Sequence, residues 1–133
     1  MDNRPALLVV DDDQAILDLV NDALKSDYEV RTAGDVLEAA DLFRENHFDL
    51  LILDLNMPVV DGEELMQLFA VDPGFSAVPI LVISAYPDLI ERVKKARVQA
   101  ILPKPFSIAG LQQIVADTIA KSKTSEASPP ATV

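Results

Sequence analysis

The sequence predicts an α/β fold, a five-stranded parallel sheet wound on both faces by helices. Short runs rich in Val, Ile and Leu alternate with stretches whose apolar residues recur at helical spacing. Several of the short runs are apolar almost throughout, as strands are when helices cover both faces of a sheet. Cap and turn residues fall at the junctions, where such a chain must change direction.

The first strand is read at Ala6 to Val10 and runs into Asp11, Asp12 and Asp13. Asp13 stands at a cap position before the stripe Ile16, Leu17, Val20, Ala23 and Leu24. The second strand is Tyr28 to Thr32. Asp35 can cap the next helix, whose stripe is Val36, Ala39, Ala40, Leu42 and Phe43. The third strand, Leu50 to Leu53, ends in Asp54, and Asp61-Gly62 turns the chain into a short helix marked by Leu65, Leu68 and Phe69. Asp72-Pro73-Gly74 ends that helix. Ile80 to Ile83 is the fourth strand, with Ser84 at its end, and Ile90, Val93 and Ala96 mark a fourth helix. Ala100 to Leu102 is the fifth strand. Ser107, after Pro105-Phe106, caps a last helix carrying Leu111, Ile114, Val115, Thr118 and Ile119.

Strict alternation implies right-handed crossovers, and a five-stranded doubly wound sheet of the flavodoxin-like kind takes the order 2-1-3-4-5. From Ser122 the chain is rich in Ser, Thr, Pro and Ala without periodicity. The expected organisation is one domain over residues 1–121 and a disordered tail or linker start over 122–133.

Composition narrows the function classes. There is no cysteine, which excludes disulfides, thiolate metal sites and cysteine nucleophiles and fits a reducing compartment. No apolar run approaches the ~20 residues of a membrane helix, and the apolar start meets three acids rather than a signal cleavage site. The expected location is the cytoplasm. A net charge of -11 repels phosphates, so direct nucleic-acid binding is not expected. Against that background Arg92, Lys94, Lys95 and Arg97 stand together, either as a solvated helix face or as a docking surface for an acidic partner or a second copy of the domain. His47 follows the second helix, and no second histidine exists to complete a site with it, so it reads as a loop residue.

In a parallel sheet ligands bind beyond the carboxyl ends of the strands, where the strand order reverses. That place lies between strands 1 and 3, which end in Asp11-Asp12 and in Asp54. An Asp after a strand is often only a cap. Two acids on one central strand and a third on its neighbour are harder to explain that way. Carboxylates so close resist joint ionisation, and a hard divalent cation such as Mg²⁺ is the natural offset. Ser84 and Lys104 point to the same edge. A hydroxyl and an ammonium beside a carboxylate and metal suit a transferred phosphoryl group, whose oxygens carry spread negative charge. Lys104 sits between Pro103 and Pro105, which limit its backbone and leave the Lys104-Pro105 bond free to be cis or trans.

These residues resemble the receiver domain of two-component response regulators. The matching segments are Leu7 to Asp13, Leu51 to Gly62, Val82 to Ala85 and Leu102 to Phe106, and the resemblance covers about residues 6 to 121. Each segment alone is weak; all of them in order are specific. The resemblance implies that Asp54 is the phospho-acceptor. It implies that Asp11, Asp12, Asp54 and the backbone carbonyl of Asn56 hold Mg²⁺, that Ser84 swings toward the phosphoryl group, and that Lys104 pairs with it. The implied donor is a histidine kinase or phosphotransfer protein, and the chain would catalyse only its own phosphoryl uptake and loss. Phosphorylation would shift the face formed by the fourth helix, fifth strand and fifth helix, altering partner binding or homodimerisation. Side chains such as Met57 and Tyr86 flank the site and bear on phosphoryl lifetime.

The chain departs from the family pattern where an aromatic ring commonly stands three residues before the lysine. Here the residue is Ile101, preceded by Ala100, where an acid is common. Neither would be a metal ligand, so the departure concerns output rather than phosphoryl chemistry. Among rival readings, a haloacid dehalogenase type of phosphatase needs an acid two residues after its nucleophile, and Asn56 stands there. A nucleotide site is disfavoured by the lack of a Gly-rich loop after the first strand. A degenerate receiver used only for protein contacts is disfavoured by the intact acids, Ser84 and Lys104.

Overall fold

The computed structural model describes residues 4–54, 78–85 and 100–124. They form strands β1 (Ala6–Val10), β2 (Glu29–Ala33), β3 (Leu50–Asp54), β4 (Ile80–Ser84) and β5 (Ala100–Pro103), with helices α1 (Gln14–Leu24), α2 (Val36–Glu45) and α3 (Ile108–Thr124). The strands make one sheet in the order β2-β1-β3-β4-β5, and every pairing is parallel. This is the predicted architecture. The expected third and fourth helices, the turns at Asp61-Gly62 and Asp72-Pro73-Gly74, the basic cluster Arg92, Lys94, Lys95 and Arg97, and Asn56, Met57 and Tyr86 lie outside the described residues.

The central strands β3 and β4 are buried along their whole length. Successive side chains leave a strand on opposite faces, so each strand feeds two cores. Leu8, Val10, Leu51, Leu53, Ile80 and Val82 join Ala39 and Phe48 on the α2 face. Leu7, Val9, Leu50, Ile52, Leu81 and Ile83 join Leu17, Val20 and Leu24 of α1 and Leu111, Val115 and Ile119 of α3 on the other. At about 25 cal/mol per Å² of apolar surface removed from water, these two layers dominate the stability of the fold.

Local chemistry sets the helix boundaries. Asp13 caps α1 by accepting from the Ala15 N–H at 2.9 Å. Asp35 accepts from the Glu38 N–H at 2.8 Å, while the Glu38 carboxylate reaches back to the Gly34 N–H at 3.2 Å, in the manner of a capping box. The Ser107 hydroxyl accepts from the Gly110 N–H at 2.9 Å and starts α3. A Cβ on Gly110 would stand 3.0 Å from that oxygen, so a glycine suits the position. Two side chains satisfy the last carbonyls of α1: Arg4 donates to the Lys25 carbonyl and Gln112 of α3 to that of Ala23. The last helix runs to Thr124 and so overlaps the expected tail by its first residues. His47 is exposed and sits 3.2 Å from the Asp49 carboxylate, whose other oxygen accepts from the Ala6 N–H at the opposite edge of the sheet from Asp54.

Candidate functional site

Four strand ends supply the site. In register, Asp54 of β3 pairs with Ile83 of β4, and Ser84 of β4 pairs with Pro103 of β5. The parallel ladder thereby sets Asp54, Ser84 and the start of the loop holding Lys104 at one edge. Asp11 follows β1, and its N–H donates to the Ala33 carbonyl at 3.1 Å, extending the β1–β2 ladder by one bond. Asp11, Asp54 and Ser84 are all buried, unusual positions for two carboxylates unless they are paired or used.

Lys104 answers part of that charge. Its Nζ lies 2.7 Å from Asp54 Oδ2, with the Asp54 side chain almost fully buried and the lysine mostly so. The Lys104 N–H donates to the Ser84 carbonyl at 3.0 Å, which aims the side chain back across the end of β4. The Lys104-Pro105 bond is cis, the alternative the sequence leaves open.

Asp11 is only half satisfied. Its Oδ1 accepts from the Asp13 N–H at 2.9 Å, while its Oδ2 is buried without a hydrogen-bond donor. Burial, and then the neighbouring Asp54 carboxylate, push the Asp11 carboxyl up to about 7 from an ordinary 3.8; the Asp13 N–H and Lys104 oppose the rise. With both carboxylates ionised there is no proton to lie between them, and the two groups repel. A group of this kind asks for a cation.

Asp12 is placed differently. It is exposed, because consecutive residues leaving a strand point to opposite sides. Among the described residues no three acidic or histidine side chains converge into a metal-holding group. Asp11 and Asp54 are thus the buried acids of the set, Asp12 is its exposed member, and Asn56 lies outside the described residues. Two backbone contacts escaped the sequence reading, the Asp13 N–H on Asp11 and the Ser84 carbonyl under Lys104. The first has a legible signal, since an Asp two residues before another backbone N–H commonly forms an Asx-turn.

Comparison with known proteins identifies the family and the fold. The family model for the response regulator receiver domain matches residues 7–116. The chain is 38% identical over 119 residues to the sensor histidine kinase TmoS of Ectopseudomonas mendocina, covering 88% of this chain and 12% of that protein. It is 40% identical over 111 residues to the transcriptional regulatory protein PrrA of Mycobacterium tuberculosis, covering 80% of this chain and 46% of PrrA. The chain thus spans less than half the length of these two curated relatives. Among solved structures, the chemotaxis response regulator CheY4 of Vibrio cholerae superposes with a TM-score of 0.80 at 29% identity, covering 87% of this chain and 99% of that one.

Proposed function

The chain belongs to the response regulator receiver domains of two-component signalling, and from that membership we propose that Asp54 is its phospho-acceptor. What supports the assignment most directly is the 2.7 Å pair between Lys104 Nζ and Asp54 Oδ2 beside the buried, donorless Asp11 Oδ2. A nucleophilic carboxylate, an ammonium beside it and an acid oxygen suited to a second cation are what in-line phosphoryl transfer uses.

In this reading an Asp54 oxygen attacks the phosphorus of a phosphohistidine on a histidine kinase or phosphotransfer protein. The P–O bond to Asp54 forms as the P–N bond breaks and the imidazole leaves. Lys104 exchanges its carboxylate partner for a phosphoryl oxygen, a charge-assisted contact at least as strong. The Ser84 hydroxyl, buried at the next strand end, donates to another phosphoryl oxygen. Asp11, Asp12, Asp54 and the Asn56 carbonyl would hold Mg²⁺, which when bound neutralises charge on the transferred group. Asp11 fits that part, because a cation at Oδ2 removes both its orphaned state and its repulsion from Asp54. Turnover on outside substrates is not part of this reading. The domain is taken to span residues 1–121, to work in the cytoplasm, and to signal through altered contacts with a downstream protein, an effector domain or a second copy.

The test is direct. Incubation with Mg²⁺ and acetyl phosphate, or with fluoroberyllate, should give one adduct by intact mass or by calorimetry. Asp54→Asn should abolish it. An adduct that persists in Asp54→Asn, or none with any donor, would overturn the assignment.

A further inference from the structure

Asp11 and Asp13 form two turns in tandem. The Asp13 N–H donates to Asp11 Oδ1 at 2.9 Å, and the Ala15 N–H donates to Asp13 Oδ1 at 2.9 Å. Asp13 is therefore held by α1 through its side chain while it holds Asp11 through its backbone. Its extended conformation, φ -94° and ψ 109°, is that of a helix cap, and the cap hydrogen bond maintains it. The consequence falls on Asp11. With Oδ1 tied to the start of α1, the carboxylate cannot rotate freely, and Oδ2 is the oxygen left over. That oxygen is buried and lacks a donor, in a carboxyl that neighbours Asp54; Asp11 as a whole is 2% exposed.

We propose that Asp13 is a positioning residue of the acid site: its cap fixes which Asp11 oxygen is offered to a divalent cation. This rests on the phospho-acceptor reading above and extends it by one residue. Asp13 is itself exposed and its side chain is engaged by α1, so it acts through Asp11. The chemistry required of it is a short side chain with an acceptor oxygen, not a negative charge.

That distinction makes the test. Mg²⁺ affinity is measured by calorimetry on the full chain for wild type, Asp13→Asn, Asp13→Ser and Asp13→Ala, with the metal-free melting temperature recorded for each. Asn and Ser keep the cap acceptor and should bind Mg²⁺ within about twofold of wild type, whereas Ala should weaken binding by about 10-fold, as loss of an orienting partner does. In metal-free protein the Asp11 side-chain carboxyl carbon resonance should move in Asp13→Ala and stay put in Asp13→Asn. Equal weakening in Asn, Ser and Ala would mean that charge, not the cap, matters, and would overturn the proposal. So would an Ala variant that melts earlier but binds Mg²⁺ as wild type does, since Asp13 would then be merely structural. If wild type binds no Mg²⁺, both this proposal and the cation part of the parent reading fall, while the acetyl phosphate assay on Asp54 reports on the acceptor separately.

Discussion

Ser84 and Lys104 are joined through the backbone: the Lys104 N–H donates to the Ser84 carbonyl at 3.0 Å. A displacement of the Ser84 peptide therefore drags the base of the Lys104 side chain with it. Ser84→Ala removes the hydroxyl and keeps this tie. The expected result is that fluoroberyllate still binds at Asp54, while adduct-induced amide shifts across Ala100 to Lys104 shrink by half or more. Two-dimensional NMR of the labelled protein with and without the analogue reads this out, and undiminished shifts would show that the Ser84 hydroxyl does not drive the change.

Lys104→Ala leaves the buried Asp54 carboxylate without its 2.7 Å partner. Breaking a well-buried pair costs several kcal/mol; here the lysine is partly solvated, so a loss of about 1–3 kcal/mol in urea unfolding is expected. Fluoroberyllate affinity should fall as well, because a phosphoryl oxygen would lose its cation. A variant as stable as wild type would mean that water replaces the ammonium at little cost.

The raised Asp11 carboxyl gives the metal-free protein a pH dependence whose sign is opposite to that of most carboxylates. Between an ordinary 3.8 and the folded value of about 7, the folded state holds the proton that the unfolded state releases. The contribution is thus full below about 4 and is lost as pH rises through 7. Proton linkage over that interval removes about 2–4 kcal/mol of stability. Urea unfolding in chelator from pH 4 to 8 should show the loss for wild type relative to Asp11→Asn, which should be the more stable of the two at neutral pH. Saturating Mg²⁺ should flatten the difference from the wild-type side.

Removing the α2 cap should cost less and touch nothing at the site. Asp35→Ala loses the bond to the Glu38 N–H and is expected to lower stability by about 1 kcal/mol, with Asp35→Asn nearly neutral. Phosphoryl uptake from acetyl phosphate should be unchanged in both, which separates a loss of fold stability from a loss of site geometry.

The strand order and both core faces were legible in the sequence because the apolar runs and stripes are periodic and long. Their ends were less so, for identifiable reasons. Tyr28 reads as a strand residue, yet its N–H donates to the Leu24 carbonyl at 3.0 Å and closes the turn after α1, so β2 begins at Glu29. Asp54 and Ser84 are polar and still lie within the ladders, since pairing is made by the backbone and does not depend on the side chain. Asp11 and Asp12 look equivalent as letters, but the strand's alternation buries one and exposes the other. The Lys104 to Asp54 contact spans a sequence distance that no periodicity reports; the shared carboxyl edge of the parallel strands pointed to it, and the direct pairing did not show until the fold was seen.

Among the described residues the two cores lie on opposite faces of the sheet between them. Leu8, Leu51 and Ile80 fill one side while Leu7, Leu50 and Leu81 fill the other. A volume lost on the α2 side cannot be made good by a larger residue on the α1–α3 side, because the hydrogen-bonded backbone stands between them. Among descendants of this chain, compensating substitutions should therefore travel in two separate sets. Even positions of β1 and β4 would change in step with odd positions of β3, and the complementary set would drift on a history of its own.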